Sequence, residues 1–196
     1  MSDDSHLTEL LVERHELLHG KFLKVLQDTV RLPNDCLATR EYIVHPGAVM
    51  IVPMLDDGRI VMERPFGYPV QQVMIEVPAG KLDTGESVLS CAQRELREET
   101  GYSATHWARA GQTHPVISYS TEFIDIWFAK GLTLGAQQLD DGEFLDVFTT
   151  TAEQLMMWCA DGSVTDAKTL VAALWLQNVN SGAWKLDWQP CAASTP

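Results

Sequence analysis

The chain has 196 residues, of which 45% are hydrophobic, enough to bury one ordinary core. Its 27 acidic residues against 14 Lys and Arg give a formal charge of -13. That balance argues against a nucleic-acid grip or an anionic membrane surface, since both need clustered cations.

No apolar run approaches the roughly 20 residues needed to span a bilayer. The start, Met-Ser-Asp-Asp-Ser-His, lacks the basic and apolar regions of a secretory signal. The four cysteines show no CxxC spacing, so the expectation is a cytoplasmic protein with reduced thiols.

In chain order, Leu7 to Leu18 fits helix and strand about equally badly, and Gly20 breaks it. Phe22 to Asp28 alternates like a strand, and Pro33-Asn34-Asp35 supplies a turn. A second strand covers Thr39 to His45. Ala48–Pro53 and Arg59–Glu63 flank Asp56-Asp57-Gly58, a strong hairpin signal. Gln72 to Val77 reads as another strand, closed by Pro78-Ala79-Gly80. A long helical pattern runs from Ser87 to Thr100 and stops at Gly101, the preferred residue past a helix end. Strands are predicted at Thr105–Thr113, Glu122–Lys130 and Phe144–Thr149, and helices at Thr151–Ala160 and Asp166–Asn178. The tail after Gly182 is expected to be loosely ordered despite Trp184 and Trp188. The order of elements is that of a mixed α+β protein with a sheet core, one central helix and two late helices.

The central helix carries the chemistry. With Val88 at zero and about 100° per residue, Ala92, Leu96 and Leu89 form an apolar face at roughly 40–100°. Glu95 and Glu99 fall at about -20° and 20°, on the edge of that face, and Glu98 near -80°. Ionised carboxylates on a buried stripe require a counter-charge. Two candidates are open: a divalent cation with oxygen ligands, or a buried network in which Arg94 pairs with Glu98 and Glu86. The Gly-punctuated loop Pro78 to Glu86 brings backbone carbonyls beside the helical carboxylates and leaves room for a phosphate.

These residues resemble the Nudix box. Gly80, Glu86, Arg94-Glu95-Leu96, Glu98-Glu99 and Gly101-Tyr102 stand at its spacings, with Tyr102 a loose match at the last position. The resemblance implies an α/β/α sandwich around a mixed sheet, here with an N-terminal β-extension. It implies Mg²⁺ as cofactor, with Mn²⁺ a possible replacement. Glu95 and Glu99 become the main ligands, Glu98 a bridging or second ligand, and the carbonyl of Ala79 or Gly80 the backbone ligand. Glu86 and Arg94 tie the loop to the helix, and Arg94 counts with Glu98 and Glu99 among the catalytic groups. Arg97 stands at the box's variable position and is expected to be solvated.

Beyond the box the chain resembles the ADP-ribose pyrophosphatase branch. Arg40-Glu41-Tyr42 with His45-Pro46-Gly47-Ala48, Glu76-Val77-Pro78-Ala79-Gly80, Pro115, and Asp166-Ala167-Lys168-Thr169 carry that likeness. It implies Arg40, Arg64 and Glu76 as substrate contacts, with Arg40 stacking on adenine or binding phosphate if it is not simply a surface residue. Pro65 and Gly67 stand where the branch often has Gln and Arg, and His114 to Ser118 lacks its glycines. The implied reaction is hydrolysis of ADP-ribose, or of a GDP- or UDP-sugar; the rival class is a non-catalytic ligand sensor. For the general base, Glu143 is the first choice and Asp141 the second, in a stretch that could also be a solvated turn. The expected organisation is residues 1–45 as strands of a homodimer interface, 46–180 as the Nudix domain, and 181–196 as a tail.

Overall fold

The computed structural model describes residues 4–191, which fall into two compact units. The first comprises residues up to Gly47 together with His114–Phe123. Its three strands, β1 (Leu10–His19), β2 (Lys24–Arg31) and β3 (Leu37–Val44), form an antiparallel sheet in that order. The Leu7–Leu18 ambiguity resolves as strand. All ten residues of β1 are exposed, so neither face shows the alternation that would have marked it. The turn between β2 and β3 places Asp35 at φ 64° and caps the Cys36 N–H with the Asn34 side chain. Asp28 is buried in this unit and accepts from both the Arg14 fork and the Tyr42 hydroxyl. His114–Phe123 joins the unit through Ile43, whose N–H donates to the Tyr119 carbonyl at 2.9 Å.

The second unit, Ala48–Thr113 and Ile124 onward, holds the core. Its main strands are β4 (Ala48–Met54), β5 (Ile60–Gly67), β8 (Tyr102–Thr113), β9 (Ile124–Leu134), β10 (Leu145–Thr150) and β11 (Gln189–Pro190). They lie in the order β10-β5-β4-β9-β8-β11, with short β6 (Gln72–Val73) on β5 and β7 (Ala79–Lys81) on β4. β4 and β9 are parallel and the other pairs antiparallel, so the sheet is mixed.

Alternation along β4 explains the layers. Ala48, Met50 and Val52 face one core, shared with α2 (Ala152–Asp161) and α3 (Ala167–Asn180). Val49 and Ile51 face another, shared with α1 (Val88–Thr100), Trp107 and Trp127. The result is the expected α/β/α sandwich.

Two expectations fail. Gln72–Val77 is a strand only at its first two residues. The remaining backbone groups pair elsewhere: Met74 N–H with the Pro65 carbonyl, Glu76 with Glu63, and Val77 N–H with the Thr169 hydroxyl. The tail, in turn, is tied down as far as Cys191. Trp184 packs edge-on against Trp175 at 4.4 Å, Lys130 lies 4.2 Å over the Trp188 ring, and β11 pairs with β8.

Candidate active site

The site is assembled on α1 and the strand that precedes it. Ser87 caps α1 by accepting from the Ser90 N–H, and Gly101 ends it in the left-handed region at φ 75°. Between those caps, Cys91, Ala92 and Leu96 bury one face. Glu99 is carried inward with them and is only 5% exposed. On β7, Gly80 lies so close to Glu95 that a β-carbon there would push the Glu95 carboxylate aside.

Arg94 organises the loop side. Its Nε and Nη2 form a fork on Glu86 at 3.0 and 2.9 Å, Nη1 donates to Glu95 and Glu98 at 2.8 and 3.1 Å, and Nη2 also reaches the Lys81 carbonyl. This pairing holds the Glu86 carboxyl down at about 2. Arg97 is exposed and lies 3.6 Å from Glu98.

A cleft of about 400 Å³ opens over these groups. It is lined by Ala79, Gly80, Lys81, Asp83, Arg94, Glu95, Glu98 and Glu99, and from the loop before β10 by Asp140 and Glu143. Of the two candidate bases, Glu143 lines the cleft and Asp141 does not. Glu95 and Glu99 are both pushed upward in pKa, first by burial. For Glu99 the next cause is a carboxylate that the sequence reading missed, Glu63. Glu63 is 3% exposed at the point where β5 leaves the core, and burial raises its pKa as well. The signal was present as an acidic residue closing the apolar run Ile60-Val61-Met62, on the same strand face as Val61.

Arg64 and Glu76 are not among the residues lining the cleft. Arg64 is half exposed, 3.9 Å from Asp146, in a separate groove with Phe148 and Trp158. Glu76 is paired with Lys168. Arg40 belongs to the first unit, where Glu9 accepts from its guanidinium at 2.5 and 2.9 Å.

A family model described as the NUDIX domain matches residues 44–172. The chain belongs to the Nudix family. Among its relatives, this Nudix chain is 33% identical to an ADP-ribose pyrophosphatase of Bacillus subtilis (strain 168), covering 87% of this chain and 94% of that one. It is 34% identical to the methanol dehydrogenase activator of Bacillus methanolicus, over 86% of this chain and 92% of the other. A crystal structure of an ADP compounds hydrolase superposes with a TM-score of 0.81 at 22% identity, covering 90% of this chain and 97% of that one, and so shares the fold.

Nudix hydrolases generally use divalent metal ions, and the residues here fit one. The donors are hard carboxylate and carbonyl oxygens. Glu63 Oε2 is buried without a hydrogen-bond partner, and burial with the charge of Glu63 pushes the Glu99 carboxyl upward. Among the described residues no three His, Cys, Asp or Glu side chains are gathered closely enough to hold an ion by themselves. Glu95 and Glu98 instead turn onto Arg94, and Glu99 accepts from the Ala79 N–H at 3.1 Å. An open half-shell of this kind suits an ion that retains waters and shares its coordination with phosphate.

Proposed function

We propose that this Nudix chain hydrolyses the pyrophosphate bond of ADP-ribose to AMP and ribose 5-phosphate, with Mg²⁺ as its ion and Mn²⁺ as a substitute. The observation that carries this reading is the convergence of Glu95, Glu98, Glu99 and Glu143 on one cleft. The similarity to an ADP-ribose pyrophosphatase across most of both chains supports the substrate.

In this mechanism Glu95, Glu98, Glu99 and the Ala79 carbonyl hold the cation. When bound, it neutralises the pyrophosphate and makes an attacking water more acidic. Arg94 orients Glu95 and Glu98 by donating to both from one nitrogen. Glu143 takes a proton from the water as the water oxygen bonds to phosphorus, and the bond from that phosphorus to the bridging oxygen breaks. Lys81, on the rim, adds a cation beside the departing phosphate.

The homodimer is part of the same proposal. β1 leaves Leu10, Leu11, Val12, Leu17 and Leu18 exposed on an edge strand, an arrangement that favours pairing with another chain. Light scattering at micromolar protein should give twice the chain mass, and a monomer would contradict the proposal. A cytoplasmic location is part of the same reading; no described helix is long and apolar enough to cross a membrane.

The deciding experiment is hydrolysis of ADP-ribose in H₂¹⁸O with Mg²⁺. Label in AMP or in ribose 5-phosphate supports the reading and identifies the phosphorus attacked. Tight binding without AMP release would overturn it, and faster turnover of a GDP- or UDP-sugar would reassign the substrate.

A further inference from the structure

Thr169 carries a hydroxyl where the packing of α3 asks for none. It is fully buried, on the side of the helix that also buries Ala172, Ala173 and Leu176. Val has the same shape and would serve the packing, and a hydroxyl buried there costs stability unless it is bonded. Both of its bonds are made. Thr169 Oγ1 donates to Asp166 Oδ2 at 2.7 Å and accepts from the Val77 N–H at 3.1 Å. The direction is forced, because an ionised carboxylate can only accept and an amide N–H can only donate. Asp166 also accepts from the Thr169 N–H at 2.9 Å as the cap of α3, so the carboxylate that aims the hydroxyl is itself fixed by the helix.

The residues that follow Val77 lead into the cleft. Pro78 has no N–H and a fixed φ, so Val77 offers the last amide before Ala79 that α3 can hold, and the link between them is stiff. The Pro78 carbonyl accepts from the Ile51 N–H at 2.8 Å, and the Ala79 N–H donates to Glu99 at 3.1 Å. Ala79 lines the cleft, whereas Thr169 does not. One residue before Val77, the Glu76 carboxylate is held by Lys168 from the same turn of α3. That turn therefore grips two successive residues of the backbone strap 76–79, one through charge and one through a hydroxyl. Without Thr169 Oγ1 the Val77 N–H would be a buried donor lacking this acceptor, and the strap would have to move to find another.

We infer that Thr169 is a positioning residue of the metal cleft: its hydroxyl, aimed by Asp166, holds the Val77 amide and, through Pro78, keeps Ala79 against Glu99. The inference rests on the reading of Ala79 and Glu99 as metal ligands. Thr169 acts on that site through the backbone alone, from the opposite side of the sheet to α1.

The test is calorimetric titration of the whole protein with Mn²⁺ alone, alongside amide hydrogen exchange at Ala79. Thr169→Val keeps the volume and removes the hydroxyl, whereas Thr169→Ser keeps the hydroxyl and removes a methyl. In Thr169→Val the Mn²⁺ dissociation constant should rise about tenfold or more, the size of effect expected when a group that orients a ligand is lost. Its Ala79 amide should exchange faster while the amides of α1 stay protected. Thr169→Ser should keep both properties near wild type. Leu176→Val, about two turns further along the same helix, should lower Tm and leave Mn²⁺ affinity unchanged, which separates positioning from general loosening. If Thr169→Val does not fold, Thr169→Ala makes the same comparison without a methyl facing Asp166. Equal Mn²⁺ affinity in the Val and Ser variants, or an equal loss in Leu176→Val, overturns the inference. A wild type that binds Mn²⁺ without hydrolysing ADP-ribose would sink the substrate reading and leave this inference standing. If wild type takes up no Mn²⁺, the metal reading fails and Ala79 exchange decides alone: equal rates in the Val and Ser variants overturn the positioning role.

Discussion

Gly80 and Glu95 stand so close that a β-carbon built on residue 80 would overlap the Glu95 carboxyl. The glycine is there to let a backbone strand and a helical carboxylate share one edge of the cleft. The obstructing atoms are the far end of a flexible side chain, so Gly80→Ala should displace the carboxylate and leave the fold intact. The expected result is a loss of kcat of at least about a hundredfold, on the scale of a misplaced reacting geometry, with little change in Tm. Near-wild-type kcat would mean that Glu95 is not needed where it stands.

The Glu86–Arg94 fork gives a stability prediction with a definite sign. Glu86 is held at about 2 in the folded protein against an ordinary 4.5. A depressed carboxylate contributes stability that is fully present above 4.5 and is lost as the pH falls through about 2. Wild type should therefore exceed Glu86→Gln in urea midpoint at pH 6, and the gap should close between pH 4.5 and 2. A gap that persists at pH 2 would show that the fork acts through packing and not through charge.

The loop that carries Glu143 is fastened to the end of α1 by three hydrogen bonds. Gln138 N–H donates to the Glu98 carbonyl at 3.0 Å, Gln137 Nε2 to the Glu99 carbonyl at 2.5 Å, and Gly135 N–H to the Gly101 carbonyl at 2.8 Å. Gly101 permits this contact, since a β-carbon there would lie 2.9 Å from the Gly135 carbonyl oxygen. Gln137→Ala should lower kcat about tenfold and leave KM near its original value, because the loop is loosened without removing a substrate contact. An unchanged kcat would separate the fastening from catalysis.

The C-terminal tail offers the fourth test. Ending the chain at Gly182 removes the Trp184–Trp175 contact, the Lys130–Trp188 contact and β11. The lost aromatic and cation–π contacts together amount to about 2 kcal/mol, which corresponds to a Tm drop of roughly 4–8 °C for a domain of this size. A truncated protein as stable as the full chain would return the tail to the status of a loose appendage.

Much of this was legible in the residues, and the exceptions share a cause. The helix, its Ser87 cap and its Gly101 stop follow from local rules that need no distant partner. Arg94 reaching Glu86 could be read from spacing, since Arg94 stands about two helical turns past the Ser87 cap that follows Glu86. The end of the strand at Val73 could not be read, because the next backbone groups are satisfied by Pro65, Glu63 and Thr169, which no local pattern reveals. β1 was ambiguous because it buries neither face.

The sequence by itself determined the box, its carboxylates and the sandwich order of elements, because periodicity and spacing act over a few residues. Only the tertiary structure decided which distant groups meet the box. It brought Glu143 into the cleft and left Asp141 outside the lining, fastened the Glu143 loop to α1, and paired the Glu63 backbone with Glu76, whose side chain Lys168 holds. Those meetings depend on strand register and on where buried charge finds a partner, and both are settled only when the sheet and its helices close on one another.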